Sequence, residues 1–377
     1  YIGDYMPEKG LSGLWYDKTK KWELVELPVY QPDDDEIVVR VTATGICGSD
    51  LHVTRGDGRD ENSPERGPLA MGHEMTGVVH SLGKKVKTDS LKKPLKEGDR
   101  VIFPFFFPCI SCYNCMRGEF GACKYRSRIP YADFKYCNSG YSQYFVLRKP
   151  HIIFHSPKNL KDDALVSLNC ALAQVVEAFN VGKINFGDNI VIQGAGALGI
   201  YATAVARSMG ANEVIVIDGH ESRLELAKKC GASKTINISE IKSAQERIDC
   251  VFEYTDGIGA DIALEVVGFP AVVEEGIKMV RMRGKYLEIG SIAENSFINI
   301  DTNYLVSQQI RMTNFQHYDP WILPKCADFL ERTKDQFPLT SLVSHRFKLE
   351  DINEAFEKSD WLGENADKTI TRAMIEP

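Results

Sequence analysis

Cys109, Cys112, Cys115 and Cys123 fall within fifteen residues, in the run C-I-S-C-Y-N-C-M-R-G-E-F-G-A-C. Four thiolates at this spacing can converge on one ion while the backbone between them wraps round it. Soft sulfur donors in a tetrahedral site select zinc or an iron–sulfur centre. A disulfide pair or a set of buried thiols is the plainer reading, and the density of the cluster argues against it. A second set is more dispersed. The run G-I-C-G-S-D-L-H carries Cys47, Ser49, Asp50 and His52, and G-H-E carries His73 and Glu74. A Cys and a His 26 residues apart can hold a metal in an open site, where three protein ligands leave a fourth position for substrate. Taken singly, either residue would more often be core filler.

A third set suits a phosphate. V-I-Q-G-A-G-A-L-G places Gly194, Gly196 and Gly199 in the G-x-G-x-x-G pattern. The first glycine permits a tight turn, the second lets a pyrophosphate approach the backbone, and the third lets helix and strand pack closely. The helix N-terminus then offers free N–H groups and partial positive charge. Asp218 follows Gly194 by 24 residues, at the end of the next apolar run. Its carboxylate can accept from an adenosine ribose and repel a 2′-phosphate, which favours NAD over NADP. Arg223, one turn on, could instead bind that phosphate, although a solvated helix cation is the simpler reading.

These residues need elements to hold them. Short β-rich runs broken by Gly and Pro (Glu36 to Val41, Met75 to His80, Arg100 to Phe103, Tyr144 to Leu147) predict an irregular, mostly β domain. From Asn189 the texture becomes regular. Strands at Asn189 to Gln193, Glu213 to Asp218, near Thr235, Ile262 to Val266 and Lys285 to Ile289 alternate with helices at Leu198 to Met209, Glu221 to Lys229 and Val272 to Arg281. Such alternation predicts a parallel, doubly wound sheet. A mixed tail after about residue 312, with a helix at Pro320 to Arg332, is expected to return to the first domain.

Composition narrows the function. A chain of 377 residues suits two domains. A net charge of −7 leaves no basic stripe for nucleic acid. With no run of eighteen apolar residues and no charged-then-apolar leader, neither a membrane span nor a signal peptide is expected. Ten cysteines without a secretory signal read as thiols and metal ligands in a reducing cytoplasm.

In order and spacing these motifs resemble the zinc-dependent alcohol dehydrogenases of the medium-chain dehydrogenase/reductase (MDR) superfamily, over about residues 22 to 372. The resemblance implies an α/β fold with a GroES-like mostly-β catalytic domain (1–171 and 313–377) and a Rossmann doubly wound parallel-sheet coenzyme domain (172–312). It implies two zinc ions per subunit. Cys47 and His73 match two catalytic-zinc ligands, and Cys170 in L-N-C-A-L-A holds the third place. Two thiolates, a neutral imidazole and the dication sum to zero charge, so an alkoxide can add without strong repulsion. Cys109, Cys112, Cys115 and Cys123 match the structural zinc lobe at about 105–125, where four thiolates leave no position for substrate. Asp50 matches the carboxylate that orients the ligating histidine, and Glu74 the near-zinc glutamate that can ligate transiently. Ser49 resembles the hydroxyl that first takes the alcohol's proton, His52 the outer relay base, and Phe105 a residue lining the substrate pocket.

The function so implied is reversible, NAD-dependent hydride transfer from a zinc-bound alkoxide, interconverting a primary or secondary alcohol or polyol and its aldehyde or ketone. It implies a small-molecule alcohol or carbonyl partner, no nucleic acid, no membrane, and a homodimer or homotetramer. A zinc-free enoyl or quinone reductase shares the fold but lacks the ligands. A catalytically idle NAD- and zinc-binding protein is the alternative of another class. Two stretches depart from the family pattern, residues 55–68 and 83–96. The first carries Arg55, Arg59 and Arg66, which could meet an anionic substrate. Asp57, Asp60, Glu61 and Glu65 make a solvated, mixed-charge loop the simpler expectation there.

Overall fold

The β-branched run I-V-V-R-V-T-A-T-G, suited to a pleated surface, forms the strand Ile37–Gly45, buried along nearly all its length. It pairs antiparallel with Glu74–Leu82, Tyr144–Leu147 and Arg372–Glu376. The computed structural model describes residues 8–57, 59, 66–128, 135–291 and 296–377. Residues 58 and 60–65, with Asp60, Glu61 and Glu65 of the charged loop, lie outside them. The chain divides into two units.

The first unit comprises Tyr1–Cys170, Asp319–Glu331 and Val343–Pro377. Its seven-stranded sheet carries a core of Ile37, Val39, Val41, Met75, Val101, Phe103 and Phe145. A second cluster joins Trp15, Trp22, Ile46, Leu51, Tyr141 and Phe356. It lies under a hairpin, Lys9–Tyr16 with Lys21–Pro28, that the sequence reading leaves out. The helix Gly48–Arg55 begins directly after Cys47, and Asp50 in its first turn accepts from the Cys47 N–H at 3.3 Å. The end of one strand and the start of one helix thus fix both Cys47 and Asp50.

The second unit comprises Ala171–Tyr318 and Arg332–Leu342. Its six strands run parallel in the order Lys234–Asn237, Val214–Asp218, Ile190–Gln193, Ala260–Glu265, Val280–Glu288, Arg311–Asn314. This is the doubly wound order, and it reverses beside Ile190–Gln193, where such sheets bind ligands at their carboxyl ends. The division departs from the expected limits. A return to the first domain at 313 would cut the strand Arg311–Asn314, so the return falls at Asp319. Arg332–Leu342 stays with the second unit because the 3-10 turn Leu339–Leu342 packs on the helix Ala197–Ser208. The stretch Asp162–Gly182 has the length and hydropathy of a membrane span, and 72% of its most apolar window is buried inside the protein.

Candidate metal and coenzyme sites

Three donors from three places in the sequence converge in the first unit. Cys47 precedes a helix, His73 precedes the strand Glu74–Leu82, and Cys170 lies in a π-helical turn, Leu168–Leu172. Such turns are frequent at functional sites. The ligand atoms of Cys47, His73, Glu74 and Cys170 all lie within 4.8 Å of one another. Cys170 Sγ is 3.5 Å from His73 Nε2. Tetrahedral bonds of about 2.3 Å to sulfur and 2.0–2.1 Å to nitrogen would set that separation at about 3.6 Å. The donor set therefore fits zinc.

The surroundings orient each donor. Asp50 Oδ1 stands 3.4 Å from His73 Nδ1, so Nε2 is the nitrogen turned to the cluster. Tyr141 donates its hydroxyl to Asp50 Oδ2 at 2.7 Å. The Asn169 amide donates to the carbonyls of His73 and Phe103, both at 3.0 Å. Glu74 is fully buried; Ser167 Oγ donates to its Oε2 at 2.5 Å and Arg372 Nη2 lies 3.1 Å from its Oε1. Ser167 adopts a left-handed φ of 87° to make that bond. No motif assigns a role to Tyr141, Ser167, Asn169 or Arg372, and it is their contacts with Asp50, Glu74 and His73 that identify them.

The donors of this cluster shift one another's ionisation. The Cys170 thiol donates to Cys47 and holds it well below the ordinary thiol range, while its own ionisation is pushed far up by Cys47 and by burial. Against burial, the Asp50 carboxylate and Cys47 keep His73 well above the usual imidazole value. Burial pushes Glu74 up to about 7, with Arg372 opposing. A divalent ion would let both thiols ionise and the imidazole stay neutral.

The remaining expected residues sit on nearby elements of the same unit. Ser49 and His52 lie half-buried on the helix Gly48–Arg55. His52 Nδ1 is 2.6 Å from Asp57 Oδ2, so Nε2 is the nitrogen a relay would use. The Phe105 ring lies 5.2 Å from that of His73. Arg55 pairs with Asp57 and Asp360 and stacks over Trp361 at 4.8 Å. Arg66 grips Asp17 through two nitrogens, at 2.7 and 3.0 Å. Two of the three loop arginines therefore meet carboxylates of the chain itself, so neither anion capture nor a merely solvated loop describes them.

The four-cysteine lobe is a separate centre. Its Sγ atoms lie within 4.8 Å of one another. Three pairs are resolved: Cys112–Cys115 at 3.6 Å, Cys109–Cys123 at 3.6 Å and Cys112–Cys123 at 3.8 Å. A tetrahedron with sulfur about 2.3 Å from zinc has edges of about 3.8 Å, whereas a disulfide needs about 2.05 Å. All ten cysteines are free thiols. Backbone N–H groups led by that of Ser111 hold Cys109 down to about 6, while burial pushes Cys115 up to about 12. Four such thiols cannot ionise together without a cation.

In the second unit the glycine turn joins Ile190–Gln193 to the helix Ala197–Ser208. Gly194 has φ +105°, open to glycine alone without strain, and a Cβ on Gly199 would stand 1.8 Å from the Gly194 carbonyl oxygen. A Cβ on Gly196 would meet nothing within 4 Å, so the turn is open on that side, as a phosphate requires. Asp218 ends the neighbouring strand and accepts from the Ala195 N–H at 2.7 Å and the His220 N–H at 2.8 Å. Arg223 lies half-buried on the helix Glu221–Lys229.

Fold and site together define a two-unit, zinc-type dehydrogenase. Residues 33–158 match the alcohol dehydrogenase GroES-like domain and residues 197–332 the zinc-binding dehydrogenase domain. The chain belongs to the zinc-dependent alcohol dehydrogenases of the MDR superfamily. It is 33% identical to the L-threonine 3-dehydrogenase of Pyrococcus furiosus, over 89% of this chain and 91% of that protein. It is 29% identical to the sorbitol dehydrogenase of Bacillus subtilis, over 90% of this chain and 91% of that protein. An alcohol dehydrogenase of Thermotoga maritima superposes with a TM-score of 0.88 at 27% identity, covering 98% of this chain and all of that one.

Proposed function

We propose that the protein is an NAD-dependent zinc oxidoreductase that interconverts an alcohol and its carbonyl partner. The observation that carries the reading is the convergence of Cys47, His73 and Cys170, three protein donors of the chemistry an open zinc site needs. In this reading those three residues hold the catalytic ion, and Asp50, steadied by Tyr141, fixes the tautomer and tilt of His73. The ion, when bound, supplies the Lewis acidity that makes an alcohol O–H acidic near neutral pH. Ser49 takes the proton and His52 passes it outward through Nε2. Phe105 walls the substrate beside His73. Glu74, tethered by Ser167 and Arg372, stands beside the ligands and can enter the coordination sphere during ligand exchange. Gly194, Gly196 and Gly199 receive the pyrophosphate, and Asp218 accepts from the adenosine ribose, which favours NAD over NADP. Arg223 is the residue to alter if NADP proves to be preferred.

The lobe of Cys109, Cys112, Cys115 and Cys123 holds a second, structural ion in this reading. Relatives named for threonine and sorbitol make secondary alcohols and polyols the first substrates to test. A homodimer or homotetramer in a reducing compartment completes the reading. The test is metal content. Wild-type protein should carry about two zinc ions per subunit and Cys170→Ala about one, with turnover lost and NADH binding kept. A wild-type content of one or none would refute the two-zinc reading, and a fully active Cys170→Ala would show that the third ligand lies elsewhere.

A further inference from the structure

Two carboxyl groups of the coenzyme unit take no part in the chemistry proposed above. Glu265 ends the strand Ala260–Glu265 and Glu288 ends the strand Val280–Glu288; the strands run parallel, and these two residues are register partners. Both lie at the carboxyl edge of the sheet, Glu265 on the strand beside the reversal of strand order and Glu288 on the next strand out. Glu265 is 0% and Glu288 8% exposed. Each uses one oxygen to hold the loop that follows it. Glu265 Oε1 accepts from the N–H groups of Val267 at 2.5 Å and Gly268 at 2.7 Å, and Glu288 Oε1 accepts from Ser291 at 2.9 Å. The second oxygens, Glu265 Oε2 and Glu288 Oε2, are shut off from solvent and meet no donor among the described residues. As register partners on neighbouring parallel strands, the two residues send their side chains to the same face of the sheet. Two buried carboxyl groups on register partners, each with an oxygen lacking a donor, can satisfy one another by sharing a proton.

The loops they hold touch the phosphate turn. A Cβ on Gly268 would stand 2.4 Å from the Gly290 carbonyl oxygen, and one on Gly290 would stand 2.4 Å from Glu265 Oε2. A Cβ on Gly194, the first glycine of the turn, would stand 2.8 Å from Val267 Cγ2. Carboxyl pair, strand-end loops and phosphate turn are therefore one close-packed contact, with no slack to absorb a repulsion within the pair.

We propose that Glu265 and Glu288 share one proton, and that this acid–carboxylate pair is a positioning device that keeps loops 266–268 and 289–291 in the form that receives the nicotinamide coenzyme. Burial, and then Glu288, raise Glu265 to about 8. Tyr286 of the same strand turns its hydroxyl to Gln193 at 3.1 Å. Glu275 of the helix Pro270–Met279 adds negative charge on that side and is itself paired with Arg247. The protonated pair is the binding form, so coenzyme affinity is full below the folded value of about 8 and falls as pH rises through it. Above it, two carboxylates repel across the strand ends and push the loops apart.

The inference rests on the coenzyme reading above, and the test separates the two. Dissociation constants for NADH and NADPH are measured by fluorescence on the zinc-replete protein from about pH 7 to about pH 9.5. Wild type should lose up to about thirtyfold in affinity over that range. Glu288→Gln, whose amide donates to Glu265 at every pH, should keep its neutral-pH affinity throughout. Glu265→Gln, donating in the other direction, should behave alike and serves if the first variant folds poorly. Glu74, raised to about 7, is present in both proteins, so the infrared difference between wild type and Glu288→Gln, both without coenzyme, should show a carboxylic-acid carbonyl band that fades over the same range. A pH-independent wild type, a Glu288→Gln that weakens in parallel with wild type, or no such band overturns the shared proton. Failure of wild type to bind either coenzyme at neutral pH overturns the coenzyme reading, while the infrared band still decides the pair.

Discussion

Asp218 ties the glycine turn to the loop that follows its own strand, since its oxygens accept separately from Ala195 and from His220. Its ribose role as read from sequence therefore comes with a structural one, and substitution must be chosen to separate them. Asp218→Ala removes both, and should raise the KM for NAD about tenfold or more while narrowing the preference over NADP. Asp218→Asn keeps an acceptor for the turn, and should change preference with a smaller loss of stability by thermal unfolding. An unchanged coenzyme preference in both variants would remove Asp218 from ribose recognition. At this scale Cys47, His73 and the four clustered cysteines stood out by residue type and spacing, whereas Cys170 came only with the family resemblance. Tyr141, Ser167, Asn169 and Arg372 did not stand out, because a hydroxyl, amide or guanidinium acquires its role only from what the fold places beside it.

The regular elements of the coenzyme unit were legible because hydrophobic period and punctuation agree there; Glu221–Lys229 lies where its pattern put it. The helix Ala244–Tyr254, which buries Ile248 and Val251, was missed. So was the hairpin Lys9–Tyr16 and Lys21–Pro28. Gly10 and Gly13 read as breakers, yet a Cβ on Gly10 would stand 2.7 Å from the Tyr144 ring, so glycine there is a packing requirement. That hairpin leads into Asp17, which ties it to Arg66. Arg66, and lesser contacts including Trp15, lower the Asp17 carboxyl from 3.8 to about 2 against the pull of burial. A depressed folded value gives stability that is fully present above the unfolded value and lost as pH falls through about 2. Arg66→Ala should therefore destabilise the protein by about 2 kcal/mol at neutral pH. The gap from wild type should shrink below about pH 4 and close near pH 2. Denaturant unfolding across that range checks it, and a gap independent of pH would mean that Arg66 acts by packing alone.

Over the whole molecule, the two-unit plan followed from texture, whereas the boundary at 313 did not hold. The break in βα rhythm came one strand too early, since Arg311–Asn314 is short and half-polar yet completes the parallel sheet. The two cysteine-bearing centres lie in the first unit and the glycine turn in the second. The central claim is that a zinc ion held by Cys47, His73 and Cys170 activates an alcohol for oxidation by NAD. The most direct measurement is NADH formation by purified protein with a panel of secondary alcohols, polyols and primary alcohols, repeated after chelation and after zinc is restored. At least one alcohol class should reduce NAD, with activity lost on zinc removal and recovered on its return. Activity that survives complete removal of zinc, or zinc-replete protein inert toward every class with either coenzyme, would contradict it.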